Sequence, residues 1–134
     1  VVAVKAANKD KAETLGSTSY EIGAFDATDG AEKSDDHSLR SKLIDAKRFG
    51  SAELAADATV TYTLYYFNAD KEFIGKSDEL SAETTELEAT FTVDSATEKV
   101  KYIRVLIIVP EAKDEVTILN MNDYVKQITV TLNK

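Results

Sequence analysis

The sequence contains no cysteine and no tryptophan, one histidine and one proline. Without cysteine there can be no disulfide bond, thiolate nucleophile, zinc–thiolate site or iron–sulfur cluster. The histidine, His37, lies in the stretch SDDHS, where Asp36 and Ser38 are its direct neighbours and cannot converge with it on one substrate atom. The glycine-rich nucleotide motifs and the HExxH zinc motif are also missing. We therefore expect that the chain is not an enzyme.

Positive charge and long apolar runs are scarce as well. The 134 residues include 24 acidic and 16 basic side chains, for a net charge of −8. Because such a surface repels phosphate groups, we expect neither nucleic acid nor a membrane as a partner. The longest apolar run, residues 103–110, is interrupted by Arg104 and is far shorter than the ~20 residues that cross a bilayer. No signal peptide is recognisable after Val1, so we expect a segment of a longer protein.

Alternation with a period of two predicts several half-buried strands. Residues 18–25, 87–94 and 126–134 alternate most clearly, and residues 1–6 and 38–44 more weakly. The apolar positions of the three clear segments are Tyr20, Ile22 and Ala24, then Leu87, Ala89, Phe91 and Val93, then Ile128, Val130 and Leu132.

Two segments, residues 59–67 and 101–109, are apolar on both faces, which is typical of central strands covered on each side. Pro110 stands where the second of these strands would end. Helical turns are indicated only in SAELAAD, residues 51–57, and VDSATEKV, residues 93–100. We predict a single all-β domain over residues 1–134, a two-sheet antiparallel β-sandwich of jelly-roll type.

Acidic residues are concentrated in FDATDGAEKSDD, residues 25–36. Calcium takes carboxylate and carbonyl oxygens, so Asp26 and Asp29 are candidate ligands, although their spacing does not fit an EF-hand loop. The alternative is a charged loop whose carboxylates are solvated. No cofactor is required by the sequence, and a structural calcium ion is the one that it leaves open.

Four stretches occur in an order that resembles a known group of modules. They are YEIGAFDATDGAE (20–32), SLRSKLI (38–44), TYTLYYFNADKEFIG (61–75) and FTVDSATEKVKYIRVLI (91–107). The succession, over approximately residues 18–109, resembles jelly-roll carbohydrate-binding modules attached to bacterial glycan-degrading enzymes, cellulosomal ones included. That group often has tryptophan where Tyr20 stands.

The resemblance implies a non-catalytic module that binds plant cell-wall polysaccharide within an extracellular protein. Its partners would be the polysaccharide and covalently attached catalytic or cellulosomal modules. Because the surface is acidic, a neutral β-glucan, xyloglucan or mannan is favoured over a uronate polymer.

Strand parity separates candidate core residues from candidate ligand-binding residues. Val60, Tyr62, Leu64 and Tyr66 form one apolar set, and Ile103, Val105, Ile107 and Val109 form another. The opposite faces combine aromatic rings with hydroxyls and a cation, which suits contact with a sugar. The candidate ligand-binding residues are Tyr20 or Glu21, Arg40, Tyr65, Tyr102 and Arg104.

The alternative is that Tyr65 and Phe67 pack under a loop while the arginines pair with surface carboxylates such as Glu21. In that case the chain would be a structural or protein-interaction spacer without a sugar site. The missing tryptophan supports this alternative, since tryptophan is the usual stacking platform for sugars.

Overall fold

The computed structural model describes residues 12–14, 17–46, 49–55, 58–81, 84–111 and 113–132. These residues form short β-strands, one 3-10 turn (Ser17–Ser19) and one short helix, α1 (Met121–Val125). The strands are β1 Ala12–Thr14, β2 Tyr20–Ile22, β3 Ala24–Phe25, β4 Glu32–Lys33, β5 Ser38–Ser41, β6 Ile44–Asp45, β7 Phe49–Leu54, β8 Thr61–Phe67, β9 Phe73–Lys76, β10 Thr84–Glu86, β11 Thr90–Val93, β12 Ala96–Lys99, β13 Tyr102–Ile108 and β14 Ile128–Leu132. The all-β prediction is confirmed. No helix in the described part of the chain is long and apolar enough to span a membrane.

The strands pair antiparallel in several sheets. A four-stranded sheet has the order β1-β14-β7-β10, and a six-stranded sheet has the order β2-β5-β13-β8-β9, with β6 also paired to β13. Two further pairs, β3–β4 and β11–β12, form separate ribbons. The long strands β8 and β13 pair over their whole length, from Tyr102 opposite Phe67 to Ile108 opposite Thr61.

One main core lies between the two larger sheets. Ala52, Ile128 and Val130 reach it from the four-stranded sheet. β8 and β13 of the six-stranded sheet, with the residue before β8 and the residue after β13, contribute both sets that parity assigned to the core. That prediction is confirmed for Val60, Tyr62, Leu64, Tyr66, Ile103, Val105, Ile107 and Val109. The two sheets therefore pack face to face.

Tyr62 ties the two sheets together through its hydroxyl. The ring is fully buried, and the hydroxyl donates to the Ala52 carbonyl at 3.2 Å and bonds with Thr85 Oγ1 at 2.7 Å. Ala52 and Thr85 belong to the opposite sheet. The buried hydroxyl thus keeps its hydrogen bonds while the ring adds apolar area to the core.

At Gly23 the chain changes the side of the sheet on which its apolar residues pack. Tyr20 and Ile22 pack against the main core, whereas Ala24 and Phe25 lie in a second apolar cluster. Gly23 has a φ of +150°, and a Cβ atom there would collide with the Arg40 guanidinium. The prediction that Ala24 shares a face with Tyr20 is therefore wrong, because the alternation is broken at the glycine.

Both helical turns indicated by the sequence are wrong. Most of the first segment lies in β7, which pairs with β14 on one side and β10 on the other. The second segment lies mostly in the β11–β12 hairpin, whose turn residues Asp94 and Ser95 have φ of 50° and 68°. Strand pairing overrides local helix propensity in both places.

The remaining strand predictions have mixed outcomes. The strand prediction for residues 126–134 is confirmed over β14, Ile128–Leu132, while residues 133–134 lie outside the described residues. Pro110 does follow the end of β13. The segment 87–94 is only partly a strand, since β10 ends at Glu86 and β11 begins at Thr90. Helix α1 was not anticipated, and the weak strand prediction for residues 1–6 lies outside the described residues.

Candidate functional site

The second apolar cluster covers the face of the six-stranded sheet that points away from the main core. We call it the outer cluster; its buried members are Ala24, Phe25, Tyr65, Phe67 and Leu106. Tyr65 is only 3% exposed, with Phe25 and Phe73 ring centroids 4.8 and 5.6 Å from its own. The expectation that Tyr65 offers an exposed ring to a sugar is therefore wrong.

Phe25 at the end of β3 and Phe73 in β9 cover the Tyr65 ring. The loop between β3 and β4 follows Phe25, which lies on the Tyr65 ring, and it contains Gly30 at φ +71°. A Cβ atom on Gly30 would meet the Phe73 ring at 2.7 Å, so glycine allows the loop to pass directly over that ring. Tyr65 and Phe67 are both buried, as expected in the alternative in which they pack under a loop.

Arg40 and Arg104 come together with two glutamates beside the outer cluster. We call Glu21, Glu32, Arg40 and Arg104 the charged cluster. Arg40 Nε donates to Glu21 Oε1 at 3.0 Å, and Arg104 Nη2 donates to Glu32 Oε2 at 2.9 Å. The crossed pairs are longer, 3.5 Å from Arg40 to Glu32 and 3.9 Å from Arg104 to Glu21. The expected pairing of these arginines with surface carboxylates is confirmed.

Backbone carbonyls accept three further hydrogen bonds from the two arginines. Arg40 Nη1 donates at 3.0 Å to the carbonyls of Ala24 and Lys33, and Arg104 Nε donates at 2.8 Å to that of Ser41. The Arg104 guanidinium also lies 4.6 Å from the centre of the Phe25 ring. Because Arg cannot lose its charge, these contacts allow both side chains to be mostly buried. The arginines thus hold β3, β4, β5 and β13 together.

The glutamates of the charged cluster face solvent. The Glu21 and Glu32 side chains are 56% and 48% exposed, against 12% and 15% for Arg40 and Arg104. The hydrogen bond from Arg104 lowers the pKa of Glu32, with a further contribution from the charge of Arg40. Glu32 therefore stays ionised at neutral pH. Both exposed carboxylates keep oxygen atoms that can accept hydrogen bonds from a ligand.

Sequence reasoning missed Glu32. It comes into place because β4 pairs with β3, with Phe25 opposite Glu32. A two-residue strand carries no periodic signal. The only clue in the sequence was that two arginines on largely apolar strands need more than one carboxylate.

An open polar groove of about 770 Å³ adjoins the charged cluster. It is lined by Ile22, Glu32, Lys33, Ser34, Asp35, Asp36 and Arg40. Carboxylates and a hydroxyl accept hydrogen bonds here, while a lysine and an arginine donate them. Such a mixture suits a neutral ligand rich in hydroxyl groups.

Tyr20 and Glu21, offered as alternatives by the sequence, have separated roles. Glu21 joins the charged cluster, whereas Tyr20 is 6% exposed and packs in the main core. The placement of Tyr20 on the ligand face is therefore wrong. Its hydroxyl is buried without a hydrogen-bond partner among the described residues, and burial raises its pKa.

Tyr102 is half-buried at the edge of the outer cluster. Lys71 Nζ lies 5.7 Å from the centre of its ring. Tyr102 lines a pocket of about 240 Å³ with Asp45, Ala69 and Lys101. Among the predicted aromatic site residues, Tyr102 is the one that keeps part of its ring accessible.

Asp26 and Asp29 make local hydrogen bonds that stabilise their loop. Asp26 Oδ1 accepts from the Thr28 amide at 2.8 Å, and Asp29 Oδ1 accepts from the Ala31 amide at 3.0 Å. The bond from Thr28 lowers the pKa of Asp26. Calcium at these residues stays a prediction.

A group of metal-type donor atoms occurs instead at Asp35, Asp36 and His37, with the atoms within 4.8 Å of one another. These groups already bond among themselves. His37 Nδ1 lies 2.7 Å from Asp36 Oδ1, and Asp35 Oδ1 accepts from the His37 amide at 2.7 Å.

Comparisons of the chain with protein-family models, curated proteins and solved structures gave no significant match. The resemblance to carbohydrate-binding modules therefore stays a prediction.

Proposed function

We propose that this chain is a non-catalytic carbohydrate-binding module with a jelly-roll β-sandwich fold. It would bind a neutral plant cell-wall polysaccharide (a β-glucan, xyloglucan or mannan) and serve an extracellular protein. An attached catalytic or cellulosomal module would then meet its substrate at a raised local concentration.

The observation that carries this proposal is the polar groove beside the charged cluster. A sugar hydroxyl donates to a carboxylate such as Glu32, and a sugar oxygen accepts from Arg40 or Lys33. The carboxylates disfavour uronate polymers because like charges repel.

Hydrogen bonding, rather than stacking on a broad aromatic platform, is the recognition mode that fits this arrangement. Tyr65 is buried and Tyr102 is half-buried, so neither offers a fully exposed ring. Open, polar sites of this kind exchange bonds to water for bonds to the ligand, so the net gain per bond is small. We expect micromolar to millimolar affinity for an oligosaccharide.

Affinity electrophoresis tests the proposal. The chain is run through native gels containing β-glucan, xyloglucan, mannan or pectate, with and without EDTA. We expect retardation in one neutral gel, weakened by Lys33→Ala and unchanged by Lys76→Ala, since only Lys33 lines the groove. Free migration in every neutral gel would contradict carbohydrate binding, and loss of retardation in EDTA would indicate a bound cation.

A second candidate function is a structural or protein-interaction module without a sugar site. It is favoured by the burial of the aromatic rings: Tyr20, Tyr62, Tyr65 and Tyr66 are buried, while Tyr102 and Tyr124 are half-buried. The charged cluster would then serve only to tie strands together. Chemical modification that reaches several tyrosines of the folded chain would contradict this alternative.

A further inference from the structure

Two exposed aliphatic side chains project from the turn that precedes α1. Ile118 is 84% exposed and Leu119 is 97% exposed, and they are the exposed large hydrophobic residues of the described chain. We call this pair the apolar tip. Val116 before the tip and Met121 after it are buried in the main core. Since the core does not use the tip, packing does not explain why its two residues are aliphatic.

The turn holds the apolar tip in one shape. The Thr117 amide donates to Asn120 Oδ1 at 2.7 Å, and Asn120 Nδ2 donates to the Glu115 carbonyl at 2.9 Å. The Met121 amide donates to the Thr117 carbonyl at 2.9 Å. A partner that binds the tip would therefore order little additional chain, which lowers the entropic cost of association.

A groove with an apolar floor lies elsewhere on the same molecule. We call it the apolar groove; its volume is about 560 Å³, and half-buried Leu87 and Val100 contribute to its lining. Its charged lining residues are Glu86, Glu88, Lys99 and Lys101. The two lysines and the two glutamates balance each other, although the whole chain carries a net charge of −8. The groove is thus less repulsive to an acidic molecule than the average surface of this chain.

The apolar tip and the apolar groove lie toward opposite ends of β13. Lys101, which lines the groove, directly precedes β13, and its carbonyl accepts from the Ala46 amide at 2.9 Å. At the other end, the Val109 amide donates to His37 and the Val116 amide donates to Asp36, both at 2.8 Å. The seven residues of β13 span roughly 20 Å at ~3.3 Å per residue. A tip therefore meets the groove of another copy rather than its own.

We propose that copies of this chain associate head to tail, with the apolar tip of one copy inserted in the apolar groove of the next. Asp114 and Glu115, which precede the tip, then approach Lys99 and Lys101 at the groove. Because the two contact surfaces differ, the association is heterologous and builds an open series instead of a closed dimer. This self-association goes beyond the proposed carbohydrate binding and does not depend on it.

Sedimentation velocity between about 20 μM and about 1 mM chain, near 0.15 M salt, tests the association. A small contact on an acidic chain is weak, so we expect the average sedimentation coefficient to rise mainly toward the upper concentrations. The double variant Ile118→Ser/Leu119→Ser should stay monomeric, as should Lys99→Glu/Lys101→Glu. The control Lys42→Glu/Lys76→Glu makes the same change in net charge away from the groove and should still associate.

Mixing the variants gives the sharper result. The tip variant keeps an intact groove and the groove variant keeps an intact tip, so the mixture should form a 1:1 complex and stop there. A wild-type chain that stays monomeric at the highest concentration would overturn the proposal, as would self-association of the tip variant or a mixture that stays monomeric. Tip-dependent flotation with phosphatidylcholine vesicles by a monomeric chain would also overturn it and assign the tip to lipid.

Discussion

A few polar side chains lie in the interior of this protein, and they differ in whether they have hydrogen-bond partners there. Tyr62 and Tyr20 both carry a hydroxyl into the main core, but only the Tyr62 hydroxyl has hydrogen-bond partners in the described chain. Arg40 and Arg104 lie on the other side of the six-stranded sheet, where they donate hydrogen bonds to glutamate side chains and backbone carbonyls. A buried donor or acceptor costs free energy when its partner is removed, so each of these groups gives a distinct expectation.

Tyr62→Phe and Tyr20→Phe form a matched pair. Removing the Tyr62 hydroxyl leaves the Ala52 carbonyl and Thr85 hydroxyl without this partner, and we expect a loss of about 1–2 kcal/mol in the free energy of unfolding. Removing the Tyr20 hydroxyl breaks no bond among the described residues, so stability should be unchanged or slightly raised. Urea unfolding of the two variants measures the difference. Equal losses would contradict this assignment of the hydroxyls.

Glu32→Gln tests the charged cluster. The substitution keeps the side-chain size but removes the charge that faces Arg104, whose own side chain is 15% exposed. Because Glu32 is half exposed, we expect a loss of about 1 kcal/mol, between the values for surface and buried pairs. The control is Asp123→Asn, which removes the exposed pair with Lys126 and should cost less than about 0.5 kcal/mol. Equal losses of stability in Glu32→Gln and Asp123→Asn, measured by thermal unfolding, would show that burial of Arg104 does not strengthen its ion pair.

At the scale of secondary-structure elements, turns and interruptions of strands decide whether a residue faces the main core or the outer cluster. The β11–β12 hairpin is closed by Asp94 and Ser95, both in the left-handed region. Gly23 breaks the strand run between β2 and β3 and sends Phe25 to the outer cluster. The position of Phe25 in turn buries Tyr65, the ring that strand parity favoured for ligand contact. The backbone conformation at Gly23 therefore leads to the burial of Tyr65, which could otherwise have contacted a ligand.

The hairpin turn predicts a stabilising substitution. Two-residue turns with positive φ at both positions prefer Asn or Asp followed by Gly. Ser95 has a φ of 68°, where glycine avoids the contact of Cβ with the backbone. We expect Ser95→Gly to raise the free energy of unfolding by about 0.5 kcal/mol and Ser95→Val to lower it. Equal chemical-denaturation midpoints for the two variants would contradict the turn assignment.

At the scale of the whole molecule, the shifted pKa values of His37 and Glu32 make stability depend on pH in opposite directions. The bond to Asp36 raises the pKa of His37, and hydrogen bonding to the Lys113 backbone adds to this effect. The bond from Arg104 lowers the pKa of Glu32. Asp35 and Asp36 are the carboxylates whose charge helps to raise the pKa of His37. The backbone carbonyls of Asp36 and His37 accept from the Val116 and Val109 amides, so this loop lies at the end of β13.

Stability should therefore be greatest at mildly acidic pH. The His37 contribution is fully present below its ordinary pKa of 6.5 and is lost as pH rises through the higher folded value. The Glu32 contribution is present above its ordinary pKa of 4.5 and is lost as pH falls through the lower folded value. Urea unfolding from acidic to alkaline pH should show this window. His37→Gln should reduce the loss of stability at alkaline pH, and Glu32→Gln should reduce the loss at acidic pH. If neither variant changes the dependence of stability on pH, these assignments are contradicted.

The sequence by itself determined the all-β class and the buried faces of the two central strands. Period-two alternation is a local property of an extended chain, so Tyr62 and Tyr66 could be placed in the core without knowing any partner strand. The absence of cysteine and nucleotide motifs was equally independent of folding.

Only the tertiary structure decided what covers each remaining face. Residues 51–57 read as helical, yet most of that segment is a strand because β14 and β10 pair with it. Glu32 pairs with Arg104, and Phe25 covers the ring of Tyr65. Both contacts join segments that are far apart in the chain. Such contacts depend on which strands pair and where loops cross, and the alternation along one strand carries no information about either.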